Sequence, residues 1–359
     1  MLPDDLTIRG QHVLTVCNAC RYCEQYCPVF PALEKRRTFQ PADLVYLASL
    51  CHNCGECLYA CQFAPPHEFG INVPTLLAEV RARSYEQHAW PARLGRAFRR
   101  DAFRTGLAMM ALVLSVLVLL SAARGDAVLS PGGDADFYGV IPHGAMVAIF
   151  GVVSLFTLVA MAISGRRFWQ GMGTRPLAPG HDGWRAVRDA LSLRYLHGSG
   201  LDCASNLEVR LPWRRWFHHC TFYGFLLCMA STTVAAIYHG VFGWRAPYAY
   251  SSLPVLLGVA GGFGLLVGPL GLAALRQTRD PALGHEESRG LDTVFLALLF
   301  ITSLTGLALL VLRHSAMMGI LLLVHLAVVL VLLLTLPYGK FVHGLYRLLA
   351  LIRFHREGE

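Results

Sequence analysis

The sequence predicts a mainly α-helical protein in two parts, a small cysteine-rich helical domain followed by a six-helix membrane bundle. Three observations predict it. Of 359 residues 55% are hydrophobic and 15% charged, with a mean hydropathy of +0.46, a balance too apolar and too charge-poor for an ordinary soluble enzyme. Eight of the eleven cysteines fall between residues 17 and 61 at one repeated spacing. From Thr105 onward apolar stretches recur that are long enough to cross a hydrocarbon layer, since about 20 residues at 1.5 Å rise cover roughly 30 Å.

The cysteine-rich segment occupies residues 1–104. Cys17, Cys20, Cys23 and Cys27, then Cys51, Cys54, Cys57 and Cys61, each give C-x2-C-x2-C-x3-C. This spacing wraps three thiolates around one four-iron cubane and sends the fourth, one helical turn on, to a second. Cys17, Cys20, Cys23 and Cys61 are therefore expected to hold one 4Fe-4S cluster, and Cys51, Cys54, Cys57 and Cys27 the other. Pro28 after Cys27 fits the usual CP ending, whereas Gln62 after Cys61 departs from it. Structural zinc is the rival occupant, but zinc sites pair two C-x2-C hairpins and leave the third cysteine of each run without a role. Leu44, Leu47 and Leu50, then Val73, Leu76, Leu77 and Val80, recur at helical spacing, so a helical ferredoxin domain is predicted and not a β-hairpin one. Cysteines gathered in one stretch form a local device in a reducing compartment, not a disulfide framework. Residues 1–16 carry no apolar run, so no secretory signal is expected and the domain stays on the side where it is made.

The membrane domain covers residues 105–346, with a cytoplasmic tail at 347–359. Its six spans are placed at 105–123, 143–164, 220–242, 253–275, 291–312 and 319–338, helical because every backbone N–H and C=O must be satisfied within lipid. Lys and Arg alternate between high and low in successive flanks: five in 93–104, one in 124–142, nine in 165–216, one in 243–252, three in 276–290, Arg313 alone, and four after residue 339. The positive-inside rule then makes both termini, the 165–216 loop and the 276–290 loop cytoplasmic, in a multi-pass protein of the inner membrane. Topology accounts for the net charge of +8, and no nucleic-acid partner is expected, because the arginines form no single stripe with stacking aromatics. The small residues of GVAGGFGLLVGPLG suit close helix packing, and with no strand before them they are not phosphate loops. In DGWRAVRDALSLRYLHG, Trp184, Val187, Leu191 and Tyr195 share a helical face, for a membrane surface or a soluble partner.

An ionisable side chain inside a membrane span is costly and is by default a functional candidate. His325 and His343 stand eighteen residues apart, five whole turns at 3.6 residues each, so one continuous helix would present both on one face about 27 Å apart. Such a helix offers one ligand to each of two stacked b-type haems. Matching depth sets His218 or His219 opposite His343 on the cytoplasmic side, and His239 opposite His325 on the outer side. The 21 residues from His218 to His239 leave them about 60° apart around the helix, which favours His218 over His219. His143 and His314 are alternatives to His239. His12, His52, His67, His88, His181, His197, His285 and His355 lie on polar segments and are read as surface residues; Cys220 and Cys228 are read as packing residues.

The segments CNACRYCEQYCPVFPALEKRRTF, CHNCGECLYACQFAPPHEFGINVP, LRYLHGSG, WFHHCTFYGFLLCMASTTVAAIYH and LTLPYGKFVHGLYR together closely resemble the tricarballylate-utilisation protein B family, also called citrate-utilisation protein B. The resemblance covers nearly the whole chain, and PYGKFVH also resembles the last span of the nitrate reductase gamma subunit, a di-haem cytochrome b. It implies a membrane iron–sulfur and b-haem protein with a cytochrome b-like bundle. Such a protein reoxidises the reduced flavin of a partner, an FAD-dependent tricarballylate dehydrogenase, and passes the electrons to the quinone pool. No hydrolytic triad or nucleotide fingerprint argues for substrate oxidation in this chain. Two rivals are a membrane redox subunit serving another donor, such as a thiol or sulfur oxidoreductase, and a zinc-stabilised membrane protein or transporter.

Overall fold

A computed structural model describes residues 2–123, 137–173, 183–196, 213–284 and 289–358. Cys203, His181, His197 and His285 lie outside the described residues, as do 174–182 and 197–212 of the long loop. No strand occurs among the described residues. The N-terminal part is built from α1 (Asp4–Cys20), α2 (Val29–Glu34), α3 (Pro41–Leu50), α4 (Glu56–Tyr59), α5 (Val73–His88) and α6 (Ala92–Arg100).

Local chemistry fixes these ends. Pro41 opens α3 behind a reciprocal cap, in which the Gln40 backbone N–H donates to Asp43. The Asn72 side chain accepts from the Thr75 N–H at the start of α5. The leucines read from spacing are the core: Leu44, Leu47, Leu50, Leu77 and Val80 are all buried, with Leu14, Phe30 and Leu33 against them. Each such side chain contributes about 1.5–3 kcal/mol. Gly10 lets α1 close on α3, since a Cβ there would meet Leu44 at 2.7 Å.

Six helices among the described residues are long and apolar enough to cross a bilayer: α7 (Ala102–Ala122), α9 (His143–Gly171), α11 (Trp213–Gly240), α12 (Leu253–Gln277), α13 (Arg289–Leu312) and α14 (Met318–Thr335). Short α8 (Phe137–Val140), α10 (Gly183–Leu191) and a final α15 (Val342–Arg356) complete the set. Leu119, Val152, Leu155 and Val311 lie on outward faces and are exposed, a belt for which lipid is the fitting solvent. Helix α14 is the most enclosed, with α7, α9 and α13 against it. The closest approach is between α11 and α12, where the glycine-rich stretch does what its small residues predict. A Cβ on Gly261 would lie 2.8 Å from the Gly224 carbonyl oxygen, and one on Gly224 would lie 2.9 Å from that of Gly261. Gly261→Ala should therefore force the helices apart and lower stability by about 1–3 kcal/mol, read as a lower midpoint of thermal unfolding in detergent.

One expectation is corrected. His325 and His343 do not share a continuous helix: α14 stops at Thr335 and α15 begins at Val342. Pro337 has no N–H to continue the ladder, and the Tyr338 and Gly339 N–H groups both turn back to the Thr335 carbonyl. The chain leaves the bundle there, and α15 enters the cysteine-rich domain. Tyr346, Ala350, Leu351 and Phe354 join its core, so residues read as a cytoplasmic tail are mostly a packed helix.

An ionic knot secures that helix. Buried Arg36 donates to Asp43 at 2.7 Å and to Glu357 at 2.9 Å, Arg353 donates to Glu357 at 2.8 Å, and both guanidinium groups lie 4.8 Å from the Tyr46 ring centroid. Glu357→Ala leaves two buried cations short of a counter-charge, a loss of about 3–5 kcal/mol. Limited proteolysis should then cut the C-terminal helix, which is protected in the parent protein. Helix α10 also meets α15, through Ala186 and through Asp189, whose carboxylate is 3.1 Å from His355. Trp184, read as part of its apolar face, is exposed.

Candidate functional site

The eight cysteines sit at helix ends and in the loops between them. Cys17 and Cys20 close α1, Cys51 caps α3, and Cys57 lies in α4; Asn53 and Gly55, on either side of Cys54, both take positive φ (54° and 96°). A cavity of about 250 Å³ is lined by Cys17, Cys20, Cys23, Cys57 and Cys61. Proximity sorts the thiols across the chain. Cys17 interacts with Cys61, Cys23 and Cys20, whereas Cys27 interacts first with Cys54 and Cys51. Burial, followed by Cys61, pushes the thiols of Cys17 and Cys23 up to about 12, and burial pushes Cys27 and Cys57 well upward. Buried thiols that repel one another as thiolates are held ionised by a positive group among them, which is the chemistry of a metal-cluster ligand set. The ten described cysteines are all free. No three His, Cys, Asp or Glu side chains among the described residues could hold a single metal ion.

A second, larger cavity of about 620 Å³ lies where the cysteine-rich domain meets the membrane helices. His218, from the first turns of α11, and His343, from the first turn of α15, line it with ring centroids 6.1 Å apart and planes at 71°. That separation leaves room for one metal atom with a ring nitrogen about 2 Å away on each side. The His343 Nδ1–H donates to the Lys340 carbonyl, which orients the ring, and His218 Nδ1 is buried without a partner among the described residues. Cys54 and His52 line the same cavity, together with Arg81, Arg214, Arg279 and Arg347. The donor set, the volume and the basic rim fit a porphyrin with two imidazole ligands and acidic side groups.

Of the two adjacent candidates, the structure brings His218 against His343, while His219 faces the Tyr223 ring. It does not bring His325 to His239. His325 lies deep in the bundle against Gly306 and shares a 3.0 Å hydrogen bond with Thr305. His239 stacks on His143 at 3.7 Å and hydrogen-bonds to Tyr138 at 3.2 Å, and His314 accepts from Arg313. A second bis-imidazole site between His325 and His239 does not fit this arrangement.

Three of the histidines read as surface residues are buried: His52, His88 and His355. His52 Nδ1 donates to the Leu50 carbonyl, and burial, then Arg347, holds its pKa well below the usual imidazole range. The residues the sequence reading missed are the cavity arginines: Arg214, Arg279 and Arg347 were counted there only as topology markers, and Arg81 was given no role. Their signal was position: Arg214 is four residues before His218 and Arg347 four after His343, one helical turn in each case.

Comparison with known proteins follows the same division. The family model described as citrate utilization protein B Fer4-like domain matches residues 10–87, and that described as citrate utilization protein B matches residues 97–359. Citrate utilization protein B of Escherichia coli is 45% identical over 348 residues, which cover 96% of this chain and 90% of that protein. No solved structure matches the chain.

Proposed function

The chain belongs to the citrate utilization protein B family, and from that premise we propose that it is a membrane electron-transfer protein of citrate or tricarballylate utilisation. It accepts electrons from the reduced FAD of a partner dehydrogenase and delivers them to quinone. When bound, two 4Fe-4S clusters and one b-type haem supply the one-electron carriers between a two-electron donor and a two-electron acceptor.

The protein's own residues set where those carriers would sit. Cys17, Cys20, Cys23 and Cys61 would hold one cluster, and Cys51, Cys54, Cys57 and Cys27 the other, as their mutual proximity supports. His218 and His343 would take the two faces of the haem, with the Lys340 carbonyl fixing the His343 tautomer. Arg214, Arg276 and Arg279 line the cavity where its acidic side groups would lie. Helix α15 keeps the cysteine domain seated on the bundle, since it carries His343 and is also part of that domain's core. Substrate oxidation is left to the flavoprotein.

The observation that carries this reading is that one cavity is bounded at once by Cys54 and by the His218–His343 pair. A dithionite-reduced optical spectrum, with iron and haem quantified per chain, tests it: about eight non-haem irons and one haem are expected. A colourless protein that contains zinc would overturn it. Haem reduction by a thiol donor, with none by a reduced flavoprotein, would assign the same carriers to a different donor.

A further inference from the structure

Four arginines from distant parts of the chain converge on the backbone leading into the second cysteine run. Arg81 of α5 donates to the Ala48 and Cys51 carbonyls at 2.8 and 2.6 Å. Arg214 of α11 donates to those of Asn53 and His52 at 3.1 and 2.9 Å. Arg347 of α15 donates to those of Ser49 and Cys51 at 3.3 and 2.7 Å, and Arg279, beyond α12, donates to Asn53. Arg214 and Arg279 come from the membrane part and Arg347 from the helix that follows it, and together the four grip residues 48–53. The Asn53 N–H adds a hydrogen bond of 3.3 Å to the Cys51 sulfur.

These contacts gather four guanidinium groups beside the second set. Arg81 and Arg347 both donate to the carbonyl of Cys51 itself, and Arg214 and Arg279 both donate to that of Asn53, the residue before Cys54. On the first set's side the comparable group is one arginine, Arg21, whose Nε donates to the Asn18 carbonyl at 3.2 Å but which is exposed, where water and salt screen its charge; the Glu56 carboxylate acts on Cys23. Glu56 also acts on Cys54, so the carboxylate does not distinguish the sets, whereas the guanidinium groups do. Adding one electron to a thiolate-bound cluster adds one negative charge. Burial resists that charge, and fixed positive groups and hydrogen bonds to sulfur favour it.

Building on the cluster reading proposed above, we infer that Arg81, Arg214, Arg279 and Arg347 form a collar that seats the second cysteine loop on the bundle and makes the cluster there the more readily reduced of the two. One electron received at the first set then runs downhill to the second, beside the His218–His343 cavity, and the donor flavin is left oxidised by one electron per transfer. Toward this cluster the arginines are positioning residues: they touch the carbonyl oxygens of its loop, and all four also line the neighbouring cavity.

Potentiometric titration of the purified holoprotein, followed by electron paramagnetic resonance, tests the collar. Cys54→Ser identifies which signal belongs to the second set. In Arg214→Gln and Arg347→Gln the midpoint of that signal should fall while the other stays, and Arg214→Lys should retain most of the parent value. Equal shifts in both signals, no shift in either, or a lysine variant as displaced as the glutamine one would overturn the inference. If Arg214→Gln loses iron, Arg279→Gln gives the same readout from the rim of the collar. A parent protein without four-iron clusters would fail at the iron count before any titration, and that would overturn the cluster reading itself.

Discussion

Replacing His343 with alanine is expected to strip the haem from the purified protein while leaving about eight non-haem irons in place. The ring is oriented by the Lys340 carbonyl, faces His218 at 6.1 Å, and sits in the wall of a cavity large enough for a porphyrin. Removing a group that merely orients a metal ligand typically costs 10–100-fold in affinity, so loss of the ligand should cost roughly 100-fold or more. His218→Ala should behave in the same way. His219→Ala should not, because that ring is turned to Tyr223. His325→Ala, whose ring lies against Gly306 and Thr305, should leave this haem in place. The α-band of the reduced protein and a haem count per chain measure all four variants. Full haem retention in both His343→Ala and His218→Ala would remove the pair as ligands.

Sequence periodicity and spacing revealed most of the fold, because both are local. The buried faces of α3 and α5 are the leucines and valines that recur at helical spacing, and six apolar stretches became six helices long enough to cross a bilayer. Matching helix ends set His218 opposite His343, which the fold brings together, but the same matching set His239 opposite His325, which it does not, because depth along a helix does not say which way a side chain faces. What failed depends on contacts distant in the chain. Pro337 has a small effect where the helix beyond it continues straight, and a large one here, because Gly339 and the apolar face of α15 let the chain turn into another domain. His355 looked like a surface residue because its partner, Asp189, is 166 positions away. The cavity arginines were hidden for the same reason: a count of positive charge gives the side of the membrane, and does not show which guanidinium turns inward to a carbonyl.

Cys61→Ser is expected to damage the cluster built on the first cysteine run, although Cys61 belongs by sequence to the second. Its side chain acts on Cys17 and Cys23, while Cys27, from the first run, acts on Cys54 and Cys51. Serine supplies a hard oxygen in place of a soft thiolate, so the affected cluster should be lost or converted to a three-iron form, and one of the two resonance signals should disappear. Cys27→Ser should remove the other signal. The two variants also separate by function: both keep the haem, which dithionite still reduces, but neither passes electrons to it from a reduced flavoprotein. In Cys61→Ser the remaining signal should still respond to the Arg214→Gln substitution, because the surviving cluster is the one inside the arginine collar. In Cys27→Ser the remaining signal should be indifferent to it. If Cys61→Ser instead abolished the signal that Cys54→Ser abolishes, each run would wrap its own cluster in chain order, and the crossed assignment would be withdrawn.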